Sequence, residues 1–476
     1  MPNTLLKDGT VISFDEATKS IKVLEKASIL IKGDRIARIS ENANDIDLPA
    51  DVEVVDVSGK IISPGFTNTH SHMWQTAYRS MAPNCTLTQY LVWISQMASA
   101  ARSFTPDDIY ISCLEGYLEA INSGVTTVVE HANQHWDESV FEPAYNAAVD
   151  GGARVWYCFG VNDQPHYSEA TQYEGLARLQ QRKDDSRGLV SLGIALDSIL
   201  QMDKEKVEKT KALIKQMHLQ AITLHVLGGP WFRGNASSSP TALSDHGFQD
   251  LDIPIIFSHG PFVTSTDRDA LRKHNWNLAI TPESELHYGH GHKTSKLVLD
   301  QASLGVDTNF TFSGDMLAQT RLFLQHTRGE QYATTLDAAK IPQNCPFDVE
   351  EAFLLVTRHG GLAVRTEDVG VLREGAKADI VVVDGESPNM LGWTNAVAAL
   401  VLHANVGDIE HVLVDGEFRK RDRKLVLKKG DWGDISKRFA STARRIQEEH
   451  KAGRPNLEGE VMGMELGEVE SISTRR

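Results

Sequence analysis

Between residues 62 and 370 the chain repeats one pattern: a short, almost wholly apolar run, a polar break, then a stretch with helical spacing. The runs are GFTNTH (65–70), VTTVVEH (125–131), RVWYCFG (154–160), VSLGIAL (190–196), AITLHV (221–226), PIIFSH (254–259), NLAITP (277–282) and GVDTNF (305–310). Near-continuous apolar character marks parallel strands covered on both faces, since a half-exposed strand would alternate. The helical stretches carry end signals. PDDIYISCLEGYLEAINSG opens on Thr105-Pro106 as cap and first turn and closes at Gly124. Eight such units over about 300 residues predict an α/β fold, a (β/α)8 TIM barrel. An open doubly wound sheet shares the local pattern and is the alternative.

The flanks have another texture. SILIKGDRIARIS and DVEVVDVSGKIIS alternate apolar and polar positions around Gly-Asp and Ser-Gly turns, and the same texture returns in ADIVVVDGE, AVAALVLHA and IEHVLVDGEFRK. Two β-rich ends around a barrel predict a small β-sandwich domain built from both termini. The expected division is 1–61 and 371–430 for that domain, 62–370 for the barrel, and 431–476 for a C-terminal helix and tail.

Composition narrows the partners. With 48 basic and 64 acidic residues the net charge is −16, which argues against nucleic acid or an anionic membrane surface. No window approaches the ~20 apolar residues of a membrane span, and MPNTLLKDGTVISFDE lacks a basic-then-apolar leader. Cys85, Cys113, Cys158 and Cys345 are too far apart for a zinc knuckle or a disulfide framework. These features predict a cytoplasmic protein and say little about its substrate. VLGGPW lacks phosphate-loop spacing and no G-x-S-x-G elbow occurs, so nucleophilic serine chemistry has no support.

The chemistry gathers at strand ends. ISPGFTNTHSHMWQ (62–75) sets His70 and His72 one residue apart, and in extended backbone residues i and i+2 share a side. His225, His259 and Asp307 fall at the C-terminal ends of the fifth, sixth and eighth runs, the face on which barrels build active sites. Taken singly, each is an ordinary half-buried imidazole or an Asx turn. Together they form the donor set of a metal site.

DVSGKIISPGFTNTHSH, GVTTVVEH, LHV, SHG, GVDTNF and the closing VGVLREGAKADIVVVD together resemble the amidohydrolase superfamily. Within it the chain is similar to the branch of cytosine and guanine deaminases, chlorohydrolases and deaminases of adenosine-type thioethers. The resemblance implies that His70, His72, His225 and Asp307 hold one divalent metal ion, zinc first and iron as the alternative. It places His259 beside the activated water, with Asp307 taking the water's proton. Binuclear relatives carry a modified lysine after the fourth strand. VSLGIALDSIL has none, so a mononuclear site is expected.

Deaminases of this branch read His-x-x-Glu on the fifth strand, whereas this chain reads HVLGG, with Gly228 in the glutamate's place. PESELHYGHG after the seventh strand resembles a less characterised subgroup with a Pro-Glu-x-Glu segment. Glu285 is the candidate proton donor to the leaving nitrogen, against the plain reading of a solvated loop for Glu283 and Glu285. Trp74, Gln75, His131, Glu283 and His287 are candidate substrate contacts, Trp74 by stacking on a flat ring. The expected activity is hydrolysis of non-peptide C–N bonds in a small cyclic or aromatic compound. A metal-dependent isomerase, lyase or dehalogenating hydrolase is the alternative, and a silent scaffold a third reading. Relatives of this fold usually pair, which implies a homodimer or higher homo-oligomer.

Overall fold

A computed structural model describes residues 3–162, 167–182, 186–197, 199, 202–231 and 238–474. Eight parallel strands form a barrel: β1 Phe66–Ser71, β2 Val125–Ala132, β3 Arg154–Gly160, β4 Val190–Ala195, β5 Ile222–Gly228, β6 Ile255–Phe262, β7 Asn277–Ile280 and β8 Ala302–Leu304. Each pairs with the next in sequence. The ring closes just past β8, where the Val306 and Asp307 N–H groups donate to the His70 carbonyl and the His72 N–H donates to the Asp307 carbonyl at 2.8 Å. Every residue of β2 and β3 is buried, the two-sided cover that the apolar runs predict. Closure of the ring excludes the open sheet.

Two elements differ from the sequence pattern. The last strand is Ala302–Leu304 rather than 305–310, because Asp307 takes φ of +73° and breaks the extended path at the rim. AVAALVLHA, read above as strand texture, is the helix Ala396–Leu402. The Asn395 side chain caps it by accepting from the Ala398 N–H, and its Ala and Leu content favours helix.

A second, nine-stranded mixed sheet draws on both chain ends, and its hydrogen bonding runs continuously through all nine strands. Lys60–Pro64 is the seam, parallel to Thr4–Asp15 on one side and antiparallel to Ile380–Asp384 on the other. Ile29, Ile31, Ile62, Ile380, Val382 and Leu413 fill its core, each such side chain stabilising the fold by roughly 1.5–3 kcal/mol on burial. Arg154, at the start of β3, ties barrel to sheet: it donates to Asp379 at 2.8 and 3.1 Å and to Asp415 at 2.7 Å. Removing one partner of so buried a pair costs about 3–5 kcal/mol.

The C-terminal helix Trp432–His450 packs on Pro106–Asn122 and on the turn Met73–Tyr78 that follows β1. Gln447 donates to the Ala77 and Arg79 carbonyls, and Arg445 reaches Asp108. The loop beyond His72 is thereby held from outside. Among the described residues no helix is long and apolar enough to cross a membrane.

Candidate metal and active site

Strand ends bring His70 and His72 (β1), His131 (β2), His225 (β5), His259 (β6) and Asp307 to one place at the barrel mouth. Ligand atoms of His70, His131 and His225 lie within 4.8 Å of one another, as do those of His70, His259 and Asp307. The imidazoles are gripped from behind at Nδ1. His70 Nδ1 is 2.7 Å from Ser258 Oγ, and His72 Nδ1 donates to the His131 carbonyl at 2.8 Å. His225 Nδ1 donates to Asp197 Oδ2 at 2.8 Å, and His259 Nδ1 is 2.8 Å from Thr281 Oγ1. A neutral imidazole protonated at Nδ1 presents its lone pair on Nε2.

Those Nε2 atoms face each other. His72 Nε2 is 3.2 Å from His225 Nε2, and Asp307 Oδ1 is 3.4 Å from Nε2 of both His70 and His72. Neighbouring donors on a tetrahedral ion with bonds near 2.05 Å stand about 3.3 Å apart, and all three separations fall beside that value. His70 Nε2 is buried with no hydrogen-bond partner, a lone pair that a cation would satisfy. The residues present therefore fit a divalent ion.

Electrostatics agree for His70 and His72. Burial holds His70 well below the ordinary imidazole pKa and takes His72 down to about 3, so both stay in the neutral form that ligates. Burial also opposes charge on His225, but Asp197 outweighs it and raises the value. For Asp307 burial resists ionisation, yet His70, His259 and His72 hold its carboxyl well below the usual range. Its second oxygen, Oδ2, accepts from Ser284 Oγ at 2.6 Å. His259 and Asp307 both adopt left-handed backbone, φ +77° and +73°, a conformation that costs non-glycine residues energy and clusters at functional sites.

The other sequence candidates scatter. His131 lines the cluster, with Nδ1 3.0 Å from Thr223 Oγ1 and Nε2 3.2 Å from Asp197 Oδ2. Glu285 does not face the mouth: it is fully buried behind His259, Oε1 accepting from the Thr281 N–H at 2.8 Å and lying 3.7 Å from His259 Nδ1. Oε2 is 2.7 Å from His292 Nδ1. Burial raises its pKa, but His292 and His259 prevail and bring it to about 2. An ionised carboxylate aimed away from the mouth is no proton donor to a leaving group. Glu283 points elsewhere, accepting from Gln319 Nε2 at 2.9 Å. Both follow from the local helix Pro282–Tyr288, in which positions i and i+2 lie about 200° apart.

Trp74 is enclosed, its Nε1 donating to Asn133 at 2.8 Å and its ring edge-on to Tyr78, Phe104 and Trp136, so it offers no free face for stacking. Gln75 is satisfied by Tyr90 Oη and the Ile94 carbonyl and anchors the helix Leu87–Trp93 over the loop. His287 donates to the Ala82 carbonyl at 3.1 Å and packs on Phe312.

Sequence reasoning missed Asp197, Ser258, Ser284 and Thr281, the residues that hold the cluster from behind. Asp197 lies two residues past β4 and carries a detectable signal, a carboxylate just beyond a strand end. Gly228 has a structural reason: its φ is +77° and a Cβ there would stand 2.9 Å from the Phe262 carbonyl oxygen, so a glutamate does not fit.

Imidazoles and a carboxylate converging on the C-terminal mouth of a closed eight-stranded barrel define a metal-site barrel enzyme. The chain belongs to the amidohydrolase family, whose sequence model matches residues 61–419, and is accordingly a hydrolase of carbon–nitrogen bonds in a family that depends on metal. It is similar to the 5-methylthioadenosine/S-adenosylhomocysteine deaminase of Thermococcus onnurineus, 27% identical over 436 residues, covering 88% of this chain and 95% of that one. Its fold matches an adenosine deaminase from Xanthomonas campestris with bound zinc, at TM-score 0.76 and 18% identity over 94% of this chain and 98% of that one. It also matches the zinc complex of an atrazine chlorohydrolase from Arthrobacter aurescens, at TM-score 0.74 and 19% identity over 92% of this chain and all of that one.

Proposed function

We propose that the enzyme is a mononuclear, zinc-dependent deaminase of small cyclic amines, with 6-aminopurine nucleosides as the leading substrate class. The observation that carries this reading is the set of three donor separations, 3.2, 3.4 and 3.4 Å, among His70, His72, His225 and Asp307. Zinc suits three imidazoles and a carboxylate, and similar solved structures bind it. The substrate class comes from the similar deaminase, which is named for adenosine thioethers.

In this reading His70, His72, His225 and Asp307 hold the ion, which supplies a water acidified towards neutral pH. Asp307 would give Oδ1 to the ion, and Oδ2, which accepts from Ser284 Oγ at 2.6 Å, is the oxygen left to take the water's proton. His259, its Nδ1 held by Thr281 and backed by Glu285, keeps the lone pair of Nε2 inward to accept a hydrogen bond from the attacking water and orient it. Glu285 acts through His259 and is a positioning residue. The reading also places the protein in the cytoplasm as a homo-oligomer, in keeping with four free cysteines, and gel filtration measures the assembly.

The test is ammonia release by zinc-loaded protein from 5′-methylthioadenosine, S-adenosylhomocysteine and adenosine. Ammonia from any of them, abolished by Asp307→Asn, supports the reading. Chloride from a chlorinated triazine and no ammonia would replace it with dehalogenation, the alternative that Gly228 favours by removing the usual glutamate.

A further inference from the structure

His290 stands out because its surroundings leave it nothing to do structurally. The side chain is 2% exposed, and neither Nδ1 nor Nε2 has a hydrogen-bond partner among the described residues. Leaving a buried polar atom unpaired costs about 1–3 kcal/mol, so a purely structural site would favour an apolar ring here. Its ring lies edge-on to His259 with centroids 4.8 Å apart, and it is flanked by Tyr288 at 6.1 Å and Trp231 at 5.9 Å.

Those neighbours fix its place in the mouth. Trp231 lies three residues beyond Gly228 on the loop after β5, while His290 belongs to the loop after β7. Phe262 lies between the loops, its carbonyl and Cβ against Gly228 and its ring tip towards Gly291. His290 thus packs against Trp231 of the loop that follows Gly228, next to the His259 imidazole at the barrel mouth. Glu285 meets His259 at Nδ1. Burial, then the neighbouring His259, bring the His290 pKa down to about 3, so the ring is neutral near pH 7 and offers one donor and one acceptor.

We propose that His290 contacts the departing nitrogen of the substrate, its unprotonated ring nitrogen accepting a hydrogen bond from the amino group that leaves. This rests on the C–N hydrolase reading and deepens it: substrates carry an N–H at the reacting carbon, and analogues with chlorine there lose the contact. The site selects amines in place of the glutamate that Gly228 excludes.

The experiment compares wild type, His290→Phe and His290→Gln, each loaded with zinc and assayed for metal content, on 5′-methylthioadenosine and its 6-chloropurine analogue. Ammonia and chloride are measured separately. The expected result is that His290→Phe keeps its zinc but loses about 10–100-fold in kcat/KM on the amine with little change on the chloride, while His290→Gln recovers much of the loss. Equal losses on both compounds, or no loss on the amine, would overturn the proposal while leaving the hydrolase reading intact. No turnover of either compound by wild type would overturn the substrate reading, and the proposal with it.

Discussion

Replacing Asp197 by Asn tests how the cluster is held. Asp197 Oδ1 accepts the His225 backbone N–H at 2.9 Å and Oδ2 accepts Nδ1–H at 2.8 Å, so one carboxylate fixes both the position and the tautomer of that imidazole. Asn keeps the volume but turns one of these contacts into an amide N–H facing another N–H. Either the ring loses its partner or the backbone does. Partners of this kind behind metal-ligating histidines contribute about 10–100-fold in metal affinity, or roughly 1.4–2.7 kcal/mol. Competition against a chromogenic zinc chelator should show Asp197→Asn binding zinc weaker by that factor, with far-UV circular dichroism unchanged. Affinity within about threefold of wild type would refute the idea that His225 is oriented from behind by a carboxylate.

Further expectations concern the scaffold. Gly228→Ala puts a Cβ 2.9 Å from the Phe262 oxygen in left-handed backbone and should lower the unfolding free energy by about 1–3 kcal/mol in urea titration; a variant as stable as wild type would show that the φ of +77° is not required. Glu130, fully buried on β2 against Tyr117 of the helix Pro106–Asn122, has its pKa raised to about 7 by burial, against hydrogen bonds from Tyr117 and Gln134. A raised carboxyl pKa stabilises the fold below the unfolded value of 4.5, and that contribution fades as pH rises to about 7. Glu130→Gln should therefore gain stability relative to wild type between those pH values, by up to about 3 kcal/mol; a difference independent of pH from 5 to 8 would contradict it.

The barrel and its donors were legible because parallel strands announce themselves as apolar runs and because function concentrates at their C-terminal ends. His70, His72, His225, His259 and Asp307 needed only that rule to be brought together. The side chains behind them were not legible in the same way. Ser258 lies in a strand and Thr281 at the start of a helix, each paired with a histidine from another strand, and pairing across the barrel is invisible to local periodicity. PESELHY shows the limit most clearly. Treated as an extended loop, Glu283 and Glu285 share a side; as a helical turn they part, Glu283 to Gln319 and Glu285 to His259, while Ser284 reaches Asp307. Trp74 and Gln75 were read from nearness in sequence to His72, but the turn Met73–Tyr78 rolls both into the packing under Leu87–Trp93.

The central claim is that His70, His72, His225 and Asp307 close around one divalent ion. Elemental analysis of protein purified without chelator, wild type beside His70→Ala and Asp307→Ala, addresses it directly. The account predicts about one zinc per chain in wild type and a large loss in both variants, with the fold retained. Wild type that takes up no divalent metal even when supplied, or full occupancy surviving both substitutions, would contradict it.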